Sequence, residues 1–142
     1  MQNNNLLDKA FEKFDAVNGE DPRVWTADGV DYPQELFFSE RHTEWVKALS
    51  PDGSEALLLA SRCQHICRWE SPRSDYPAGR AGYLKWRSDL KFFHADKAGE
   101  ILAEIGYDEK TIERVKSLNL KKGIKSDPEC QTLEDALCLT FL

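Results

Sequence analysis

Two lines of cationic, imidazole and aromatic side chains stand out in this sequence of 142 residues. Arg62, His65, Arg68 and Trp69 follow one another at spacings that a helix would place on one face. Arg80, Arg87 and His94 recur every seventh residue, and on an α-helix such a line drifts by only about 20° per step. Guanidinium donors match the paired oxygens of a phosphate group. Imidazole moves protons or ligates metals, and Trp69, Tyr83 and Trp86 offer faces on which an organic group stacks. Two such lines meeting across a helix pair need carboxylates or a bound anion to offset their charge. Arg62, Arg68 and Trp69 from the first line, Gln64 beside it, Arg73 beyond it, and Arg80 and Arg87 from the second line are the candidate anion-binding residues. The same side chains have an ordinary structural reading as ion pairs and core tryptophans. Each histidine taken singly is more often a hydrogen-bonded structural residue than a ligand.

Charge supports a confined site. Residues 62–97 carry eight basic and four acidic side chains, a net +4, whereas the whole chain is −6 and the remainder is therefore −10. A phosphate-type small molecule suits such a segment better than nucleic acid, whose backbone needs many dispersed cations. The common nucleotide, metalloprotease and hydrolase motifs GxxxxGK[ST], GxGxxG, HExxH and GxSxG are absent. Cys63 and Cys67 flank His65, but on a helix the two thiols share one side while His65 points elsewhere, so a zinc cluster is disfavoured and buried free thiols are expected. Four cysteines do not form the dense framework of a secreted domain. Met1–Asn5 is neither basic nor apolar, and no apolar run approaches a membrane span. A cytoplasmic protein without a membrane segment is the expectation.

The elements that must position these residues are helices. A length of 142 residues with 41% hydrophobic content suits one domain, residues 1–142, around one core. Leu6, Leu7, Ala10, Phe11 and Phe14 predict a helix over about 5–17, ended by Asn18-Gly19. Residues 20–32 read as a loop carrying Trp25, and Pro33 as the first turn of a second helix through Leu49. Ser50-Pro51 predicts the start of a central third helix running to about Glu70, with Ala56, Ala60, Cys63 and Cys67 along one small apolar line. A loop over 71–79 precedes a long helix from about Arg80 to Ile105, closed by Gly106. A helix follows over about 108–120, and Thr132 with Asp135 resembles a capping box opening a last helix, 133–142, which stops in an apolar run as a truncated helix would. The fold class is all-α, a single domain of about six helices.

Three stretches carry a resemblance: Arg62-Cys-Gln-His-Ile-Cys-Arg-Trp-Glu-Ser-Pro-Arg73, Tyr76-Pro-Ala-Gly-Arg-Ala-Gly-Tyr-Leu-Lys-Trp-Arg87, and Phe93-His94-Ala95. Together they resemble domain-of-unknown-function family 4202, over about Leu6 to Leu142. Members of that family are sometimes labelled glutamyl-tRNA synthetase, a label that a chain this short without ATP-binding signatures does not fit. More remotely, the order of features is similar to the HD superfamily of metal-dependent phosphohydrolases, which are all-α. That resemblance implies His42, the Gln64-His65 pair, His94 and Asp135 as counterparts of the metal-binding residues. It also implies one divalent ion (Mn, Fe or Zn) activating water on a phosphate ester held by the arginines. Gln64-His65 stands where an HD enzyme has His-Asp, which lowers the expected metal affinity. Two functions follow from the resemblance and the cationic segment. One is a metal-dependent phosphohydrolase acting on a phosphorylated small molecule or nucleotide. The alternative is a metal-free anion- or nucleotide-binding module on a degenerate HD-like scaffold. A third, a protein-interaction domain, turns on the exposure of Trp69 and Trp86.

Overall fold

The computed structural model describes residues 2–142, with side chains from Asn5 onward. Helix α1 (Gln2–Asn18) buries Ala10, Phe14 and Asn18, spaced by four so that they lie on one face. Asn18 ends it by turning its amide outward from the helix: Nδ2 donates to Ser39 Oγ and to the Arg62 carbonyl.

The segment read as a loop is a β-hairpin, β1 (Val24–Ala27) paired antiparallel with β2 (Val30–Pro33), Trp25 opposite Tyr32. Asp28 and Gly29 both take positive φ, as a two-residue hairpin turn requires. Trp25 packs on Phe38 with ring centroids 4.9 Å apart, and Tyr32 packs on Phe37 at 5.2 Å, which fixes the hairpin to the next helix. The Asp-Gly pair between Val-Trp-Thr and Val-Asp-Tyr was the available signal.

Pro33 ends β2 rather than beginning α2 (Gln34–Leu49), whose N-terminal amide at Glu35 is met by the Asp21 carboxylate at 2.9 Å. Ser39, His42, Thr43 and Val46 form its buried face. Helix α3 (Glu55–Cys63) starts four residues later than Ser50-Pro51 suggests, because Ser54 caps it, its Oγ accepting the Leu57 amide at 3.2 Å. Ser54 is itself tied to Glu129. The helix is central, in contact with α1, α2, α5 (Glu109–Asn119) and α6 (Pro128–Thr140). It also stops seven residues short of Glu70; two single 3-10 turns, Arg68–Glu70 and Arg73–Asp75, follow.

Helix α4 (Arg80–Ile105) ends at Gly106, which takes φ +115° and donates its amide to the Leu102 carbonyl. Asp108 caps α5 and Asp127 caps α6, with Pro128 in the first turn. The proposed Thr132/Asp135 capping box is therefore displaced: Thr132 Oγ1 bonds the Pro128 carbonyl inside the helix, and Asp135 accepts from Gln131 one turn earlier. Arg114 bridges Asp127 and Glu129 and so secures that helix start.

One core joins all six α-helices, with Phe14, Leu57, Ile66, Leu102, Leu118 and Leu133 at 2% exposure or less. Each such side chain contributes roughly 1.5–3 kcal/mol through burial. Among the described residues no helix is long and apolar enough to cross a membrane, and Cys63, Cys67 and Cys130 are buried free thiols while Cys138 is exposed. The start of α4 is pressed onto the preceding loop at Gly82, where an added Cβ would lie 1.9 Å from the Pro77 carbonyl oxygen. Gly82→Ala is expected to cost about 1–3 kcal/mol in denaturant unfolding, and an unchanged midpoint would contradict this close approach.

Candidate functional site

The end of α3 builds the site. Beyond Cys63 the backbone leaves the helix: the Ile66 amide bonds the Cys63 carbonyl, Cys67 takes φ +60°, and the Arg68 amide bonds the His65 carbonyl. Ile66 keeps its side chain fully buried while its carbonyl accepts from His94 Nδ1 of α4 at 2.7 Å. A carbonyl only accepts, so the His94 proton resides on Nδ1 and Nε2 presents a lone pair.

His94 lines a cavity of about 480 Å³ between this turn, α4, the end of α5 and α6. Its buried wall includes Gln64, His94 and Asn119, exposed by 7%, 4% and 2%. Gln64 Oε1, His94 Nε2 and Asn119 Oδ1 have no hydrogen-bond partner, and of the described residues only Asn18 Oδ1 shares that condition. Buried polar atoms are almost always paired, so three unpaired ones around one cavity mark it as a place for a ligand or solvent. Asn119 is oriented by its Nδ2, which donates to Cys63 Sγ at 3.4 Å.

The outer wall is cationic. Arg68, Arg87, Lys91 and Lys121 line it with a single carboxylate side chain, Glu134, which pairs with Lys121 at 2.8 Å. Arg68, Arg87 and Lys91 form no salt bridge among the described residues. Arg68 lies over the Trp86 ring, 5.4 Å from its centroid, and Arg87 Nη1 donates to Tyr83 Oη at 3.1 Å. Leu90, Leu137 and Phe141 add apolar surface.

The histidines here stay neutral. Burial lowers the pKa of His94 to about 4 against the pull of the Ile66 carbonyl. Burial, then His94 and Arg68, hold His65 well below its usual range, the two rings lying 5.6 Å apart. Behind Arg68, burial pushes the Glu35 carboxyl up to about 8, opposed by Arg23 at 4.0 Å.

Of the seven candidate anion residues, Gln64, Arg68 and Arg87 reach the cavity. Arg62 does not: it pairs with Asp15 at 2.9 Å, donates to Thr43 Oγ1 and stacks on Phe11, tying α3 to α1 and α2. Arg73 is spent on the carbonyls of Tyr76, Pro77 and Gly79 and so clamps the loop before α4. Arg80 is exposed at the start of α4 and Trp69 is half-buried, neither lining the cavity. Trp86 is also half-buried and donates to the Ser71 carbonyl.

Of the metal candidates, His65 and His94 line the cavity. His42 Nε2 donates to the Leu133 carbonyl at 2.9 Å, joining α2 to α6, and Asp135 is exposed on the Gln131 face of α6. Among the described residues no three His, Cys, Asp or Glu side chains are grouped to hold an ion. The side chains present therefore do not fit a divalent metal: two imidazoles share the wall with unpaired cations, and its one carboxylate side chain, Glu134, is held by Lys121.

Lys91, Asn119, Lys121 and Glu134 complete the wall without having been singled out in sequence. Lys91 was accessible, lying one turn from Arg87 and one from His94. Asn119 and Glu134 come from α5 and α6, and only packing brings them in.

Comparison with known proteins gives one match, the family model described as Domain of unknown function (DUF4202), over residues 8–142. No curated protein and no solved structure matches the chain.

These ionisation states set a pH profile. His42 and His94 titrate near 4 folded and 6.5 unfolded, so their contribution is complete above 6.5 and is lost as pH falls toward 4. Glu35 keeps a proton to about 8 that the unfolded chain releases at 4.5, so it removes stability as pH rises through that window. Stability should therefore peak near pH 6.5, falling steeply on the acid side and by about 1.4 kcal/mol per pH unit at most on the alkaline side. Thermal unfolding of Glu35→Gln should lose the alkaline fall; an unaltered profile would contradict a buried, protonated Glu35.

Proposed function

The chain belongs to the DUF4202 family, and we propose that it is a binding protein for a phosphorylated small molecule or nucleotide, held without metal in the cavity between the turn after α3, α4 and α6. The observation that carries this reading is the set of Arg68, Arg87 and Lys91 on one concave wall with no carboxylate partner. Cations so gathered repel one another unless an anion joins them, and guanidinium pairs suit phosphoryl oxygens. The half-buried Arg68 on Trp86 is held in place before a ligand arrives, which lowers the ordering cost of binding.

The phosphohydrolase reading, and the HD-like scaffold with it, rests on the order of His42, His65, His94 and Asp135 in the sequence. Binding is the better-supported function because only His65 and His94 of that set line the cavity.

Inorganic pyrophosphate is the direct probe. Saturating it at about a hundred times Kd should stabilise the protein by roughly 2.7 kcal/mol, read as a rise in melting temperature. Arg87→Gln with Lys91→Gln, both at exposed positions, should fold normally and bind at least tenfold more weakly, since each charge-assisted bond is worth about 1.5–3 kcal/mol. Equal shifts in the wild type and the double variant would overturn the proposal.

A further inference from the structure

The cavity is graded in burial and in chemistry. Arg87 and Lys91 are exposed, and Arg68 and Lys121 half-buried, whereas Gln64, His94 and Asn119 are at least nine-tenths buried. The three unpartnered atoms of the buried wall are all acceptors: two amide oxygens and an imidazole nitrogen whose tautomer the Ile66 carbonyl sets. Acceptors repel phosphoryl oxygens, so a phosphate belongs at the cationic wall and not against these groups. These acceptors are closed to solvent and unpaired in the unliganded protein, so a ligand that reaches them through a small side-chain shift gains affinity by bringing donors of its own. The ligand therefore carries N–H or O–H groups at the end remote from its anion. Leu90, Leu137 and Phe141 flank the same space, and apolar side chains favour a flat ring over a polyol. A volume of about 480 Å³ lies within the range of small-molecule sites.

Resting on the anion reading above, we propose that the ligand is a nucleotide with an amino-bearing base, bound base inward, so that Gln64 Oε1, His94 Nε2 and Asn119 Oδ1 accept from the base edge while Arg68, Arg87 and Lys91 hold the phosphate. Gln64, His94 and Asn119 are then specificity-determining residues. Their neutral state matters, since a protonated His94 would donate where the base also donates. Guanine, with a ring N–H and an amino group on one edge, supplies the most donors; adenine and cytosine supply an amino group; uracil has a single ring N–H and no amino group.

Calorimetric titration of the intact protein with guanosine, adenosine, cytidine and uridine 5′-monophosphates, ribose 5-phosphate and inorganic pyrophosphate tests this. At least one amino-bearing nucleotide should bind about tenfold or more tightly than uridine monophosphate and ribose 5-phosphate. Gln64→Met keeps the volume and removes one acceptor. Because that acceptor has no partner in the protein, the variant should keep its melting temperature, lose about tenfold in affinity for the preferred nucleotide, and bind pyrophosphate as before. If all the phosphates bind alike, or Gln64→Met leaves nucleotide affinity unchanged, base recognition is overturned and the anion site stands. If none of the phosphates binds, both readings fall.

Discussion

The hydrogen bond from His94 Nδ1 to the Ile66 carbonyl is the contact on which the site depends. It exists because α3 stops at Cys63 and the chain turns while Ile66 stays in the core. A continuous helix to Glu70 would engage that carbonyl in its own ladder. His94 would then have no acceptor, and His65 and Arg68 would follow helical directions instead of lining the cavity. The irregular turn thus brings its own residues beside those of α4 on one wall, and the bond selects which imidazole nitrogen is left without a partner.

Electrostatics follow from the same arrangement. The neutral histidines and the unpaired arginines occupy one cavity without conflict because burial and the neighbouring cations both oppose imidazole protonation. The result is a wall that is cationic outside and an acceptor surface inside. Glu35, held protonated by burial behind Arg68, leaves that arginine without a full counter-charge and so available to an anion.

Much of this was legible in the sequence, and the exceptions have physical causes. Helical spacing gives α1, α2, α4 and α5 closely, and Gly106 marks the end of α4. The hairpin is missed because its strands are only four residues each and their outer faces are exposed, so alternation is weak, although Asp28-Gly29 is a turn signal. The early end of α3 leaves little local trace: Arg62 to Trp69 keeps a helical pattern, and the break appears only in the backbone, at the left-handed Cys67. Arg62 and Arg73 illustrate the ordinary fate of cations, consumed by Asp15 and by loop carbonyls. Arg68 and Arg87 differ only in what packing fails to place beside them. Asn119 and Lys121 carry no local sign, since α5 reaches the cavity through tertiary packing alone.

The site depends on His94 being a neutral Nδ1–H imidazole whose Nε2 has no partner within the protein. Nitrogen-15 NMR of the imidazole rings at pH 7 reads this directly. The expected spectrum shows His94 protonated at Nδ1 and unprotonated at Nε2, with the Nε2 resonance moving when a bound nucleotide donates to it. A His94 that is doubly protonated at pH 7, or that carries its proton on Nε2, would contradict the account.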